Sequence, residues 1–201
     1  MPDWDADSPR LRRNLTKILT DIRNQARSRQ LPGLADAQNW HREMMAGLTP
    51  PTPAMVGRFR GSNPLTKIEV LVGAYPGVAA AEVAAETARF AATLAQILNH
   101  LDTHLSPGAA PTPDQLSAII EACAWAHAEW VRIHPFANGN GRTARLWANA
   151  IAIRYHLPPF IQLRPRPNLG YEAASGEAML GNRQPTARAF RRMLAAFLAN
   201  K

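Results

Sequence analysis

The stretch from His134 to Arg145 holds, within twelve residues, the side chains of this chain best suited to chemistry on a phosphate. His134 is a candidate general base, because an imidazole with an ordinary pKa of about 6.5 can take a proton from a hydroxyl. The Gly-Asn-Gly at 139–141 tolerates left-handed backbone angles just before a helix, and free N–H groups at a helix N-terminus bind anions. Arg142 and Arg145 can lie on one helix face and point toward the same anion. An imidazole beside a bound polyphosphate favours phosphoryl or nucleotidyl transfer.

Two helices must position this stretch. The pattern predicts a helix over Pro113–Ile133, which Thr112 can cap as part of a capping box. A second helix is predicted over Arg142–His156, because the Pro-Pro pair that follows shortly after cannot continue it. Between the two helices the chain must turn at His134, since Pro135 disfavours helical geometry at the residue before it.

The same stretch resembles the signature of the Fic family, also called the Fic/Doc or Fido superfamily, which reads His-Pro-Phe-x-Asp/Glu-Gly-Asn-Gly-Arg-x-x-Arg. Asn138 departs from it, since the family has a carboxylate there. A looser resemblance extends over residues 40–195, in which Gly57–Arg60 is similar to a Gly-x-x-Arg segment and Tyr171–Asn182 to a helical tail. The signature positions that match are His134, Pro135, Phe136, Gly139, Asn140, Gly141, Arg142 and Arg145.

The resemblance implies a protein adenylyltransferase. His134 would activate a Ser, Thr or Tyr hydroxyl of a target protein, which attacks the α-phosphate of ATP, so that AMP is transferred and pyrophosphate leaves. The family's substrate flap falls at Lys67–Gly73, where a target backbone would add a strand. The implied docking residues are Ile68, Glu69, Val70, Leu71 and Val72. The implied nucleotide-binding residues are Asn138, Gly139, Asn140, Gly141, Arg142 and Arg145.

Asn138 bears on the metal that the resemblance implies. The family's carboxylate binds Mg²⁺, which bridges the nucleotide phosphates, whereas an amide offers one neutral oxygen to a cation that prefers charged ones. Three outcomes are open: weak Mg-ATP binding with turnover, use of another nucleotide or phosphate donor, or a degenerate scaffold that binds without transfer. The intact histidine and arginines favour a working enzyme. His100 and His104 have helical i, i+4 spacing but no carboxylate or cysteine nearby, so no metal site is predicted from them.

Regulation is a second question that the resemblance raises. Many Fic proteins carry an inhibitory helix with the pattern Ser/Thr-x-x-x-Glu-Gly/Asn, whose glutamate pairs with the arginine found here at Arg145. The segment Ser117–Glu121 has the spacing, but Ala122 breaks the pattern and the segment belongs to a predicted core helix. Either a separate small antitoxin-like protein supplies the glutamate, which would make this chain a toxin component, or the protein is unregulated.

Composition predicts a soluble, cytoplasmic, globular protein. The chain has 201 residues, 46% of them hydrophobic, with no apolar run of the roughly 18 residues that a membrane span needs. The start, from Met1 to Asp7, is acidic and lacks the apolar core of a secretory signal. The single cysteine, Cys123, excludes an internal disulfide, fits a reducing compartment, and is predicted to be a core residue.

The net charge of +8 is concentrated at the two ends of the chain. Residues 1–30 and 160–201 carry excesses of three and five positive charges, and the residues between them balance. This pattern supports an alternative from another class, a non-catalytic nucleotide- or nucleic-acid-binding module. Two arginine-rich solvated helices explain the charge equally simply. Nucleic acid is the less favoured partner, because no aromatic residues interleave with the basic ones as a stacking surface requires.

Helical periodicity dominates the rest of the chain, and the fold class predicted is all-α, a helical bundle with one small β-hairpin flap, as the Fic resemblance also implies. A strand is predicted over Ile68–Val72, with a turn at Ala74–Gly77. We divide the chain into a basic N-terminal helical segment, 1–34, and a Fic-like domain, 35–201. The further helices are predicted to begin after the Ser8 cap and to span Asp36–Ala46, Ala79–Leu105 and Thr186–Asn200.

Overall fold

A computed structural model describes residues 3–4, 8–106, 108–168 and 170–200. Within these ranges the chain forms seven α-helices and one two-stranded antiparallel sheet, which confirms the predicted fold class. None of these helices is both long enough and apolar enough to cross a membrane. The helices are α1 Pro9–Arg27, α2 Leu34–Met45, α3 Val83–His104, α4 Pro113–Ile133, α5 Asn140–Arg154, α6 Tyr171–Met179 and α7 Gln184–Ala199.

The helices α4 and α5 form the centre of the bundle. Nearly every residue of α5 is buried, because α1, α2 and α4 cover it from different sides. Aromatic rings join the layers: Trp147 of α5 lies 5.4 Å from Trp130 of α4 and 5.2 Å from Phe90 of α3, measured between ring centroids. Rings that pack edge-on in this way bury a large apolar area in fixed orientations. The loop between α4 and α5, which contains the signature, is therefore held at both ends by buried helices at the centre of the bundle.

The helix ends confirm the capping predictions and move several boundaries. Thr112 and Gln115 form the predicted capping box at the start of α4, and Ser8 caps α1. The helix α5 begins at Asn140, two residues earlier than predicted, because Gly139 takes a left-handed φ of 77° and acts as its N-cap. The helix α2 begins before Asp36, whose carboxylate accepts a hydrogen bond from the Gly33 N–H.

The N-terminal helix α1 packs against α2 and α5. Its apolar residues form a buried stripe that contributes to the same core as the rest of the bundle. The opposite face carries the arginines that give this end its charge. The buried members of the stripe are Leu11, Leu15, Ile18 and Ile22.

The predicted strand over Ile68–Val72 is wrong in its first three residues. Only Leu71–Val72 (β1) is a strand, and it pairs with Tyr75–Pro76 (β2) across a turn at 73–74 rather than at 74–77. The first residues are committed elsewhere: the carbonyl of Ile68 accepts a hydrogen bond from Arg60, and the carboxylate of Glu69 accepts one from the Ala80 N–H. These contacts bind the base of the hairpin to the bundle and leave only its tip as a strand.

Candidate active site

The loop between α4 and α5 contains two left-handed residues that set its shape. His134 has φ 54° and ends α4, with its N–H donating to the carbonyl of Trp130. Gly139 has φ 77° and begins α5. A left-handed backbone is costly for residues that carry a Cβ, and it persists only where surrounding contacts hold it. The loop is therefore a conformation maintained by the bundle rather than a flexible connection.

His134 is held in the state that a general base needs. Its Nδ1 lies 3.0 Å from the carbonyl oxygen of Val131. A carbonyl can only accept, so Nδ1 carries the proton and Nε2 keeps its lone pair. Burial, and next the charge of Arg60, lowers the pKa of His134, so the ring is neutral at neutral pH.

Asn140 fixes the loop rather than a ligand. Its side-chain Nδ2 donates to the carbonyl of Phe136 at 2.7 Å, and its Oδ1 accepts from the N–H of Phe136 at 2.8 Å. Both polar atoms of this side chain therefore form hydrogen bonds inside the loop. The backbone N–H of Asn140, in the first turn of α5, remains suited to an anion.

His41 of α2 binds the backbone of the same loop, a role that was not predicted from the sequence. Its Nδ1 accepts the N–H of Gly57 at 2.9 Å, and its Nε2 donates to the carbonyl of Asn138 at 3.1 Å. Its ring also stacks on Phe136 with centroids 4.1 Å apart. His41 lies 97 residues before Asn138 in the chain, and no local pattern distinguishes it from an ordinary helix histidine.

The buried histidines predict a loss of stability in mild acid. Burial, reinforced by Arg142, lowers the pKa of His41 to about 4, and burial, reinforced by Arg145, lowers that of His127 to about 3. The unfolded chain then binds more protons than the folded one below an ordinary pKa of about 6.5, so stability is full above this pH and falls as pH drops toward 4. For His41 alone the loss is about 3 kcal/mol.

Urea unfolding between neutral pH and about pH 4.5 measures this effect. The variant His41→Gln removes the titrating ring, and its unfolding free energy is expected to fall less steeply with acid than that of the wild type. His104→Gln, at an exposed histidine, is the matched control and should keep the wild-type slope. Equal slopes in all three proteins would contradict the assignment of His41 as a buried neutral ring.

The two glycines of the signature differ in why they are needed. A Cβ at Gly139 would lie 2.9 Å from Met44 Cε and 3.3 Å from His41 Nε2, on a backbone already left-handed. A Cβ at Gly141 would meet only Arg145 Nη1, at 3.5 Å, an ordinary contact. Packing therefore requires glycine at 139 but not at 141. At 141 the lack of a side chain leaves the N-terminal turn of α5 open to the cavity in front of it.

That cavity has a volume of about 520 Å³ and brings together most of the predicted site. All the predicted catalytic and nucleotide-binding residues line it. Of the predicted docking residues Val70, Leu71 and Val72 line it, whereas Ile68 and Glu69 do not. Leu71, 73% exposed, is an unusually open large apolar side chain at the tip of the hairpin. The lining residues predicted from the sequence are His134, Asn138, Gly139, Asn140, Gly141, Arg142 and Arg145.

The two signature arginines reach the cavity from α5 and are both buried. Arg142 Nη2 donates to Asn138 Oδ1 at 2.9 Å, and its Nη1 donates to the carbonyl of Trp4. Arg145 Nη1 donates to the Tyr171 hydroxyl at 2.8 Å and its Nη2 to the carbonyl of Leu163 at 3.1 Å. The guanidinium groups are therefore fixed in place before any ligand arrives, which lowers the entropic cost of binding.

Four polar or charged residues that line the cavity were not predicted as site residues. Arg164 and Arg166 come from the segment between α5 and α6, and Tyr171 and Ser175 come from α6. The available signal was the Arg-Pro-Arg-Pro at 164–167, which lies in the basic C-terminal part of the chain. Its charge was predicted to be a solvated surface, because nothing local shows that the segment folds back onto α5.

Arg60 joins the hairpin to the catalytic loop. It is 1% exposed, and its Nε donates to the carbonyl of His134 at 2.9 Å. Its two terminal nitrogens donate to the carbonyls of Ile68 and Val78, at 2.9 and 2.7 Å, on the two sides of the hairpin base. Gly77 allows this close approach, since a Cβ there would lie 3.0 Å from His134 Cβ. One side chain thus fixes the spacing between the hairpin and the candidate base.

A comparison with protein families finds a model described as the Fic/DOC family, which matches residues 31–152. Among curated proteins, the chain is 41% identical over 85 residues to a protein adenylyltransferase Fic of Nematostella vectensis, covering 40% of this chain and 20% of that protein. It is 45% identical over 69 residues to the protein adenylyltransferase fic-1 of Caenorhabditis elegans, covering 34% and 13%. The matched region thus spans a fifth or less of the length of these relatives.

Solved structures share the fold. The BepC protein of Bartonella tribocorum, a VirB-translocated effector crystallised with bound AMPPNP, superposes with a TM-score of 0.61 at 18% identity, covering 96% of this chain and 90% of that one. Fic-1 of C. elegans superposes with a TM-score of 0.59 at 22% identity, covering 98% and 55%. At these identities the similarity establishes the architecture, and the chemistry must be argued from the site.

Proposed function

Because this chain belongs to the Fic/DOC family, we propose that it is a protein adenylyltransferase, which transfers AMP from ATP to a Ser, Thr or Tyr hydroxyl of a target protein. The matched relatives are named for this activity. The observation that carries the proposal is the juxtaposition, in one cavity, of a neutral imidazole with a free Nε2 lone pair and of the signature arginines.

The proposed reaction is a substitution at the α-phosphorus. The oxygen of the target hydroxyl forms a bond to Pα, and the bond from Pα to the oxygen that bridges to Pβ breaks. Pyrophosphate leaves with that electron pair. His134 Nε2 takes the hydroxyl proton, for which its fixed tautomer and lowered pKa prepare it.

Charge stabilisation comes from the other side of the cavity. The N–H groups of the first turn of α5 face the phosphates, and Arg142 and Arg145 bind the β and γ phosphates by charge-assisted hydrogen bonds. Positioning and electrostatics supply most of the rate in transfers of this type, because little covalent chemistry is left for the protein to do. Asn140 and Arg60 contribute by holding the loop that carries His134.

The same proposal specifies the partners. The target protein adds an extended segment to the exposed hairpin. The hairpin residues that line the cavity, Val70 to Val72, then align the hydroxyl of the target with His134. A small antitoxin-like protein inhibits the enzyme by inserting a carboxylate beside Arg145, which has no ion pair among the residues that the structure describes. The protein acts in the cytoplasm, where ATP is available to it.

Paired labelling with ATP tests the proposal. The purified protein is incubated with a cell lysate and with ATP labelled at either the α- or the γ-phosphorus, and His134→Ala serves as the blank. The α-label is expected to appear on protein and to disappear in the blank, and the γ-label is expected to leave as pyrophosphate. Retention of the γ-label would indicate phosphate transfer instead. Absence of label with every nucleotide tried would favour the alternative of a non-catalytic binding module.

A further inference from the structure

The residues around Asn138 do not fit a magnesium site. Its side-chain oxygen accepts a hydrogen bond from Arg142 Nη2 at 2.9 Å, so the only oxygen that the amide could offer a cation faces a positive charge. Mg²⁺ in proteins is held by one or two carboxylates together with substrate phosphates. Among the lining residues that the structure describes, none is an aspartate or a glutamate. The donor set at this position suits an anion rather than a divalent cation.

The cavity instead carries four arginines. Arg142 and Arg145 extend from α5, and Arg164 and Arg166 extend from the segment that follows it, so positive charge reaches the cavity from two separate parts of the chain. Arg166 lies at the exposed rim, where it forms an ion pair with Glu172 at 3.3 Å. Arg164 is half-buried, which places its guanidinium where solvent screens it less than at the rim.

Arg145 is a buried guanidinium whose hydrogen-bond acceptors in the described part of the chain are neutral. It is 4% exposed, and its hydrogen-bond acceptors are a hydroxyl and a carbonyl, both neutral. Its Nε is buried without an acceptor in the described structure. Burying a charge against neutral partners costs free energy, and an anionic ligand in the cavity would offset that cost.

We propose that this site binds the polyphosphate of its nucleotide without a divalent cation, with Arg142, Arg145 and Arg164 supplying the charge that Mg²⁺ supplies to nucleotides elsewhere. The inference rests on the proposed function and specifies its substrate as the metal-free nucleotide. Arg142 donates to the side-chain oxygen of Asn138, and Arg164 reaches the cavity from the segment that follows α5. An arginine offers several fixed N–H donors that match phosphate oxygens, so three of them can replace a cation without an ordered metal coordination sphere.

Calorimetric titration of the full chain with ATP, once in EDTA and once in excess MgCl₂, tests the proposal without depending on transfer. The wild type is expected to bind ATP with a Kd that differs by less than about threefold between the two buffers. Asn138→Asp restores a charged oxygen for a metal and adds repulsion toward bare phosphate. This variant is expected to bind at least about tenfold more weakly in EDTA than in MgCl₂.

Arg164→Gln tests the third arginine and is expected to weaken binding in EDTA by about fivefold or more. Arg188→Gln is the matched control: it removes the same charge from an exposed position on α7 outside the cavity, and it should bind as the wild type does. Binding by the wild type in MgCl₂ alone would overturn the metal-free inference and leave the proposed function standing. No binding in either buffer would overturn both.

Discussion

Replacing His134 by alanine is expected to lower the rate of AMP transfer by about 10²–10⁴-fold, which is the usual contribution of a positioned general base. The affinity for ATP should stay within about threefold of the wild type, because Nε2 acts on the target hydroxyl and not on the phosphates. The fold should be retained, because the left-handed backbone at 134 is held through its own peptide groups. The Arg60 side chain donates to the carbonyl of His134, and the His134 N–H donates to the carbonyl of Trp130. Single-turnover labelling and calorimetry measure the two quantities separately.

The pH profile distinguishes a base from a merely structural histidine. Burial lowers the pKa of His134, so the base is already deprotonated at pH values where an exposed histidine would be half charged (about 6.5). We therefore expect the transfer rate of the wild type to stay constant down to that pH and to fall only in more acidic solution. The residual rate of His134→Ala should not show this acidic decrease. A variant that lost ATP affinity in parallel with its rate would contradict the assignment of His134 as the base.

Replacing Arg145 by methionine is expected to reduce transfer by about 10²–10³-fold, by analogy with the loss of a preorganised donor to a developing charge. ATP affinity should fall with it, since the guanidinium interacts with the phosphates in the ground state as well. Stability should behave differently. Arg145 is buried with neutral acceptors only among the described residues, so an apolar side chain of similar length removes a desolvation cost.

The unfolding free energy of Arg145→Met is accordingly expected to lie no more than about 1 kcal/mol below that of the wild type, and to exceed it if repacking is good. Urea unfolding of the nucleotide-free proteins measures this. Tyr171→Phe is the comparison variant: it keeps the charge of Arg145 but removes the hydroxyl that contacts both Arg145 and the buried His127 Nε2. It should lower stability more than Arg145→Met does, and it should reduce the transfer rate less. A large loss of stability in Arg145→Met would show that the arginine is structural.

The sequence alone predicted the central elements of this protein well. The helix α4 was predicted at its observed boundaries, with its Thr112 cap, because capping and periodicity depend on residues close together in the chain. The turn at His134 and the left-handed Gly139 followed from local backbone preferences in the same way. The signature residues could be identified as a group because they are nearly contiguous, and the resemblance to the Fic family followed from them.

Only the tertiary structure showed what surrounds these residues. His41, Arg60 and Arg164 reach the loop or its cavity from other parts of the chain. No local pattern sets His41 apart, and the sequence segments that hold Arg60 and Arg164 do not show that these side chains point toward the loop. Contacts with residues distant in the chain also affect the hairpin, since Arg60 binds the backbone carbonyl of Ile68 and the Ala80 N–H binds the side chain of Glu69.

The tertiary structure likewise decided which polar groups are available to a ligand. From the sequence, Asn140 was a candidate for phosphate contact, and Asn138 was the departure from the signature that bears on the metal. In the fold the Asn140 side chain forms hydrogen bonds with the backbone of Phe136, and the Asn138 side-chain oxygen accepts a hydrogen bond from Arg142. The physical reason is that hydrogen bonds and charge are satisfied between neighbours in space, whereas the chain order constrains only neighbours in sequence. The sequence therefore determined the chemistry that this loop can attempt, and the packing of the bundle determined the charge state of its base and the nature of its anion site.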